Sequence, residues 1–205
     1  NQLTMEIMKK VAEKHDLACL LHEKPFRGVN GSGKHDNWSL TTDTGHNLFS
    51  PGKEPETNKQ FQLFMCAVIR AVDENQDLLR ISVATAGNDR RLGGNEAPPA
   101  IISMFLGDYI TNILTSVEEG HGAKEWNAEK METGVASVPE FLKDKSDRNR
   151  TSPFAFTGNK FEFRMLGSSA SIADANIMIN TAVAEVLRIF ADELEAAENF
   201  EPALH

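Results

Sequence analysis

The sequence predicts an α+β protein, and three observations carry that reading. Apolar residues recur at helical spacing in segments near 3–12, 61–72, 101–114 and 177–194. Phe154-Ala155-Phe156 and Lys160-Phe161-Glu162-Phe163-Arg164-Met165 read as paired strands around the turn Thr157-Gly158-Asn159. A strand-length apolar run, Leu17-Ala18-Cys19-Leu20-Leu21, precedes a stretch broken by Pro25 and three glycines, after which Asn37-Trp38-Ser39-Leu40 alternates as a strand does.

Taken in order, Leu3, Ile7, Met8, Val11 and Ala12 give an amphipathic first helix ending near His15-Asp16. The strand–loop–strand follows, and Asp43 to Pro55, rich in Gly, Pro, Asn and Thr, reads as an exposed loop. A long helix from Glu56 carries Phe61, Phe64, Met65, Val68, Ile69 and Val72 on one face, and Leu78 to Ala84 continues it or begins another. Thr85 to Pro99 is a second glycine-punctuated loop, with two arginines and Glu96, and polar loops of this kind carry function more often than cores do. Ile101, Ile102, Phe105, Leu106, Ile110, Ile113 and Leu114 predict a buried helix closing near Glu119-Gly120. Gly120 to Lys145 is polar and shows no chemistry, and Arg148 to Pro153 is a third polar loop. In the strand after it, alternation sets Lys160, Glu162 and Arg164 on one face and Phe161, Phe163 and Met165 on the other. The last helix runs from Ile177 to Leu194, with Asp174 as a capping candidate.

The 205 residues are enough for one sizeable core, and 40% hydrophobic with 25% charged residues is ordinary for a globular protein. A net charge of -9 repels phosphates, which argues against nucleic acid and against an anionic membrane surface as partners. Cys19 and Cys66 each sit in an apolar run, so buried free thiols in a reducing cytoplasm are expected rather than a disulfide. The chain opens Asn1-Gln2-Leu3 with helical periodicity at once, the look of a piece of a longer protein. No repeat or linker divides it.

Gly28 to Lys34 fits G-x-x-x-x-G-K, but His35 stands where a phosphate-cradling loop needs Ser or Thr, and no helix-forming run follows. His35 is then either a loop histidine bonded to backbone or a metal ligand. Together the polar loops and the charged strand offer His35, the carboxylates Glu96 and Glu162, the arginines Arg91, Arg150 and Arg164, and Lys160. That inventory suits phosphoryl transfer to a carboxylate, with a divalent metal shared by His and Glu and cations for the anionic groups.

Three stretches carry a resemblance: Asn30-Gly31-Ser32-Gly33-Lys34-His35-Asp36-Asn37-Trp38-Ser39-Leu40, Arg91-Leu92-Gly93-Gly94-Asn95-Glu96-Ala97-Pro98, and Lys160-Phe161-Glu162-Phe163-Arg164. In this order they resemble the motifs of glutamine synthetase, and the wording is most similar to type III. The resemblance implies an antiparallel sheet backed by helices, with residues 1–205 forming part of a single catalytic domain. It implies ligation of ammonia to glutamate with ATP through a γ-glutamyl phosphate, with Mg or Mn as cofactor, in a cytoplasmic protein whose subunits form homo-oligomeric rings. His35 and Glu162 match metal ligands. Asn30, Gly31, Arg91 and Arg164 match glutamate contacts, and Glu96 the carboxylate that closes the site and takes a proton from ammonium. Arg150 matches an arginine on the phosphates, and Asn37, Ser39 and Lys160 line the nucleotide. The departures are Asn37 in place of a second histidine, Lys160 in place of an arginine, Ala155 in place of a further arginine, and a step from Arg91 to Glu96 shorter by one, which brings in Arg90 as a competitor. The family's other metal carboxylates lie upstream of this segment, so the fragment is expected to be inactive alone. The alternatives are a γ-glutamyl-amine ligase of the same superfamily and a non-catalytic relative that binds ATP or glutamine.

Overall fold

Four strands form the sheet on which the rest of the chain is built, in the order β1 (Gly33–Trp38), β6 (Phe161–Gly167), β5 (Phe154–Phe156) and β2 (Met104–Phe105). The structure is a computed structural model and describes residues 1–120, 130–131, 141–142 and 151–204. β1 and β5 both run antiparallel to β6, and the short β2 adds to β5 in parallel. The sheet is therefore mixed at one edge where a purely antiparallel one was expected. A separate two-stranded ladder joins β3 (Lys130–Met131) to β4 (Phe141–Leu142).

Helices α1 (Gln2–Lys14), α2 (Lys59–Glu74), α3 (Gln76–Ile81), α4 (Ala86–Arg91), α5 (Asp108–Glu118), α6 (Ala173–Ala196) and α7 (Phe200–Ala203) complete the described elements. α2 and α6 pack together, burying Phe61, Met65, Val68 and Val72 from one and Ala175, Ile179, Val183 and Val186 from the other. On the sheet's inner face Phe161 is fully buried among Phe49, Phe154 and Phe156, at ring-centroid distances of 5.3, 5.0 and 5.3 Å. Burial of one such ring contributes about 2–3 kcal/mol, so the alternation along β6 decides which face of the strand turns outward. Trp38 follows the same logic on β1, with its indole Nε1 donating to Asn180 Oδ1 of α6 at 2.8 Å. Asp36 lies on that inner face too. Burial holds its carboxyl above the usual range, a hydrogen bond from Asn176 opposing.

The predicted hairpin at 154–165 forms. The helix expected from Glu56 begins at Lys59, after Asn58, whose side chain accepts from Phe61 N, and of the two readings of Leu78–Ala84 the chain takes the second, a separate helix over Gln76–Ile81. Elsewhere the expectations shift. Leu17–Leu21 is not a strand: the segment has no ladder among the described residues, and Leu17 and Leu20 are exposed. The strand after it starts earlier, at Gly33, because the glycine motif itself pairs with β6. The first part of the Thr85–Pro99 loop is the helix α4, capped by Thr85 Oγ1, which accepts from Asn88 N at 3.2 Å. The helix expected from Ile101 begins only at Asp108; Met104–Phe105 pairs with β5, and Gly107, at φ 79°, separates the two. Asp174 is in the first turn of α6 rather than capping it; Ser171 Oγ accepts from Ala173 N instead. Both cysteines are free, as expected, but neither is buried: Cys66 is exposed and Cys19 half-buried.

Candidate functional site

The register between β1 and β6 sets the site. Asp36 pairs with Phe163 and Lys34 with Leu166, so Arg164 and Met165 together oppose His35. This bulge re-aims the strand where polar residues must face outward while Met165 and Leu166 remain buried. His35, Asn37 and Ser39 are exposed on β1 and just beyond it, while Asp36 and Trp38 turn inward. Across the ladder Asn37 pairs with Glu162, and His35 Nδ1 lies 3.7 Å from Glu162 Oε2. Arg164, only 5% exposed, places Nε 3.0 Å from the same Glu162 oxygen.

A polar cavity of about 190 Å³ opens beside His35, lined by Asn30, Gly31, Gly33, His35, Arg91, Gly94, Asn95, Glu96, Ala97 and Pro98. One wall is the glycine motif. A Cβ at Gly31 or Gly33 would land on the Arg91 side chain, so only glycine lets the backbone lie across that arginine. Arg91 is itself buried and fixed: Nε donates to Asn88 Oδ1 at 3.0 Å, and Nη2 donates to the carbonyls of Met165 and Leu166 at 3.1 and 3.2 Å. Asn88, 1% exposed, also donates to Val83 O and Met165 O at 2.8 and 2.7 Å. α4 is thereby fastened to β6, and its arginine is set in place before any ligand arrives. The facing wall is a tight turn in which Gly93 N donates to Pro98 O at 2.8 Å and Ala97 N to Gly94 O at 3.0 Å.

Behind the glycine wall sits Glu23, 4% exposed. Its carbonyl accepts from Ser32 N at 2.8 Å, and its carboxylate Oε1 accepts from Ser169 N and Oγ at 2.9 and 2.5 Å. Burial alone would raise its carboxyl, but the hydrogen bonds from Ser169, with smaller help from the Glu23 backbone and His22, leave the group below its ordinary value. Lys34 turns to the same region, donating to the carbonyls of Gly167, Ser168 and Ala170 at 3.2, 2.6 and 2.5 Å. Burial pulls its ammonium down, and Glu23 pushes the other way. A lysine so engaged, on a strand rather than before a helix, does not cradle phosphate as the G-x-x-x-x-G-K pattern would suggest.

The structure thus brings Asn30, Gly31, His35, Arg91 and Glu96 to one cavity and sets Glu162 and Arg164 against His35. Asn37 and Ser39 lie outside the cavity on the same sheet face. Lys160 is half-buried at the start of β6, and Ser39 Oγ donates to Asn47 Oδ1 at 3.1 Å, with Asn47 Nδ2 donating to Asn159 O at 2.8 Å. Arg90 is exposed and Arg91, not Arg90, lines the cavity. Arg150 lies outside the described residues, as does most of the 120–145 insertion. Sequence reasoning missed Asn88, Glu23 and Asn95. Only Asn95 carried a local signal, an asparagine in a glycine-rich turn. A larger hollow of about 660 Å³ between α2, β2 and α5 is lined largely by apolar residues such as Ile69, Val72, Met104 and Leu114, and none of the predicted site residues reaches it.

Fold and site together define an α+β domain with a small polar cavity beside a histidine–carboxylate–arginine cluster on one face of its sheet. Residues 1–102 match the family described as glutamine synthetase, catalytic domain. The chain is 54% identical over 194 residues to a type-3 glutamine synthetase of Dictyostelium discoideum, covering 95% of this chain and 26% of that protein. It is 61% identical over 174 residues to a glutamine synthetase of Butyrivibrio fibrisolvens (85% and 24%), and 55% identical over 193 residues to one of Bacteroides fragilis strain YCH46 (93% and 26%). The chain belongs to the glutamine synthetase family. It spans about a quarter of the length of these relatives.

Proposed function

We propose that this chain is the C-terminal part of the catalytic domain of a glutamine synthetase of the type-3 kind, one that joins ammonia to glutamate with ATP through a γ-glutamyl phosphate. The observation that carries the reading is the convergence of Asn30, Gly31, His35, Arg91 and Glu96 on one cavity, with Glu162 and Arg164 at its border. Arg91, held by β6 carbonyls, supplies fixed positive charge for a carboxylate, and Arg164 adds to it. Asn30 and Gly31 offer polar and backbone groups to the amino acid. Glu96, on the turn opposite, is assigned to take the proton from ammonium, its position on the cavity wall supporting that role.

His35 and Glu162 fit a divalent cation, Mg or Mn, as two of its ligands: their donor atoms are 3.7 Å apart, within reach of one ion. Among the described residues no group of three or more His, Cys, Asp and Glu is placed to hold a metal. Phosphate oxygens and water, or residues elsewhere in the full-length protein, would complete the shell. Such an ion neutralises charge on the transferring phosphoryl group. Asn37, Ser39, Lys160 and Arg150 are assigned to the nucleotide. The setting is the cytoplasm and the assembly a homo-oligomeric ring; among the described residues no helix is long and apolar enough to cross a membrane. The test is a titration of the full-length protein with Mn²⁺ in the presence of an ATP analogue. His35→Ala and Glu162→Gln are each expected to weaken Mn²⁺ binding by about tenfold or more, since losing even an outer-shell partner of a metal site costs about 10–100-fold. Unchanged binding in both would remove the metal assignment.

A further inference from the structure

Asn95 stands in the left-handed region at φ 49°, one of only two non-glycine residues among those described with positive φ; the other, Asp16, ends the turn after α1. It lines the same cavity as Glu96, the next residue in the chain. The turn that carries both is closed on itself by the Gly93–Pro98 and Gly94–Ala97 hydrogen bonds, so its direction is set by the fold. Glycine serves at positive φ two residues earlier, at Gly93, where φ is 76°. At position 95 glycine would be at least as comfortable, since it has no Cβ to crowd the backbone. Asparagine is among the residues with a side chain that enter this region most readily, so position 95 carries a carboxamide to the cavity wall at little backbone cost, where glycine would leave none.

Its chemistry indicates which role. An ammonium group carries only donors and is bound by acceptors. Glu96 gives one, as a carboxylate. A carboxamide beside it gives a second through Oδ1 without adding a negative charge that would compete for the proton. We propose that Asn95 is a substrate-contacting residue, its carboxamide oxygen forming with Glu96 a subsite for an ammonium group. The inference rests on the synthetase reading above and extends it to a residue that reading does not use. Two sources share this chemistry, the free ammonium ion and the α-ammonium of the amino acid.

The experiment is steady-state kinetics of the full-length protein and its Asn95→Gly and Asn95→Asp variants, with KM measured separately for ammonium and for glutamate. Glycine preserves the turn and removes the amide; aspartate tolerates the same backbone and keeps an acceptor. The proposal expects KM to rise about tenfold in the glycine variant and to stay within about threefold in the aspartate variant, the loss of one charge-assisted hydrogen bond. A rise for ammonium alone identifies the free ion, and a rise for glutamate alone identifies the α-ammonium. If neither KM moves in the glycine variant, or both variants change alike, Asn95 is a turn residue and the proposal is overturned. If the unaltered protein forms no glutamine, it is the synthetase reading that fails. Calorimetric binding of ammonium and of glutamate to the unaltered and Asn95→Gly proteins then decides the subsite, and equal affinities overturn it.

Discussion

Glu23 shows how a single side chain outside the cavity shapes it. Its carbonyl holds Ser32 between the two wall glycines, and its carboxylate holds Ser169 beyond the end of β6. A Cβ at Gly167 would collide with the Glu23 side chain, and Gly87 at the start of α4 lies against it as well. Glu23 therefore touches the glycine wall, the start of α4 and the end of β6. Replacing it with glutamine keeps the shape but weakens two charge-assisted bonds, at an expected loss of about 1–3 kcal/mol in denaturant unfolding at neutral pH. Because the folded carboxyl sits below its ordinary value, that contribution is complete above about pH 4.5 and fades as the pH falls through the folded value. The gap between the two proteins should accordingly be widest near neutrality and close in acid; a gap independent of pH would mean the charge is not what matters. None of this was legible in the sequence, where Glu23 stands in a plain His-Glu-Lys run and its partner Ser169 is 146 residues away.

At the scale of elements, the contacts that lock helices to their neighbours are few and specific. α5 is tied to the segment before α2 by Tyr109, whose hydroxyl donates to Glu56 Oε1 at 2.5 Å. Burial and the neighbouring carboxylate push the tyrosine up to about 12, while the same bond lowers Glu56. A raised tyrosine stabilises the fold below its unfolded value and loses that contribution as the pH rises through the folded one. The stabilisation of the unaltered protein over Tyr109→Phe should thus be constant from about pH 6 to 9 and disappear between about pH 10 and 12. It should also shrink in acid as Glu56 protonates. Thermal unfolding across pH would show this, and a difference persisting at pH 12 would contradict it.

Elements were legible where their signal is local. The Thr157-Gly158-Asn159 turn, with Gly158 at φ 96° and Thr157 N donating to Lys160 O at 2.8 Å, needs nothing beyond its neighbours to form. α2 carries its whole buried face in sequence. β1 was misread because its glycines, normally breakers, are there for the Arg91 side chain to pass beneath, and that arginine arrives from a segment far along the chain. The Leu17–Leu21 run was misread for the opposite reason: strand composition is no strand without a neighbour to pair with.

Over the whole molecule, the site is where distant motifs meet. Residue types legible in three separate stretches converge on one sheet face, and the bulge opposite His35 makes the convergence possible. What the sequence could not show is that Arg91 is already braced by β6 carbonyls, or that Asn88 and Glu23 hold the walls, since those roles depend on backbone groups brought together only by folding. α1 adds a feature at this scale: Leu3, Ile7, Met8 and Val11 are exposed and only Met5 is buried, so its amphipathic pattern is real while its apolar face contributes little to this core.

On the proposed function, this sheet face and the turn opposite it assemble a glutamine-forming site with Glu96 as the proton acceptor. The most direct test follows ¹⁵N from ammonium into glutamine by the full-length protein with ATP and glutamate, for the unaltered protein and Glu96→Ala, alongside the affinity for ATP. Incorporation in step with ADP release is expected, with a loss of about 10²–10⁴-fold in the variant and an ATP affinity changed by less than about twofold. Incorporation that survives the substitution at an undiminished rate would contradict it.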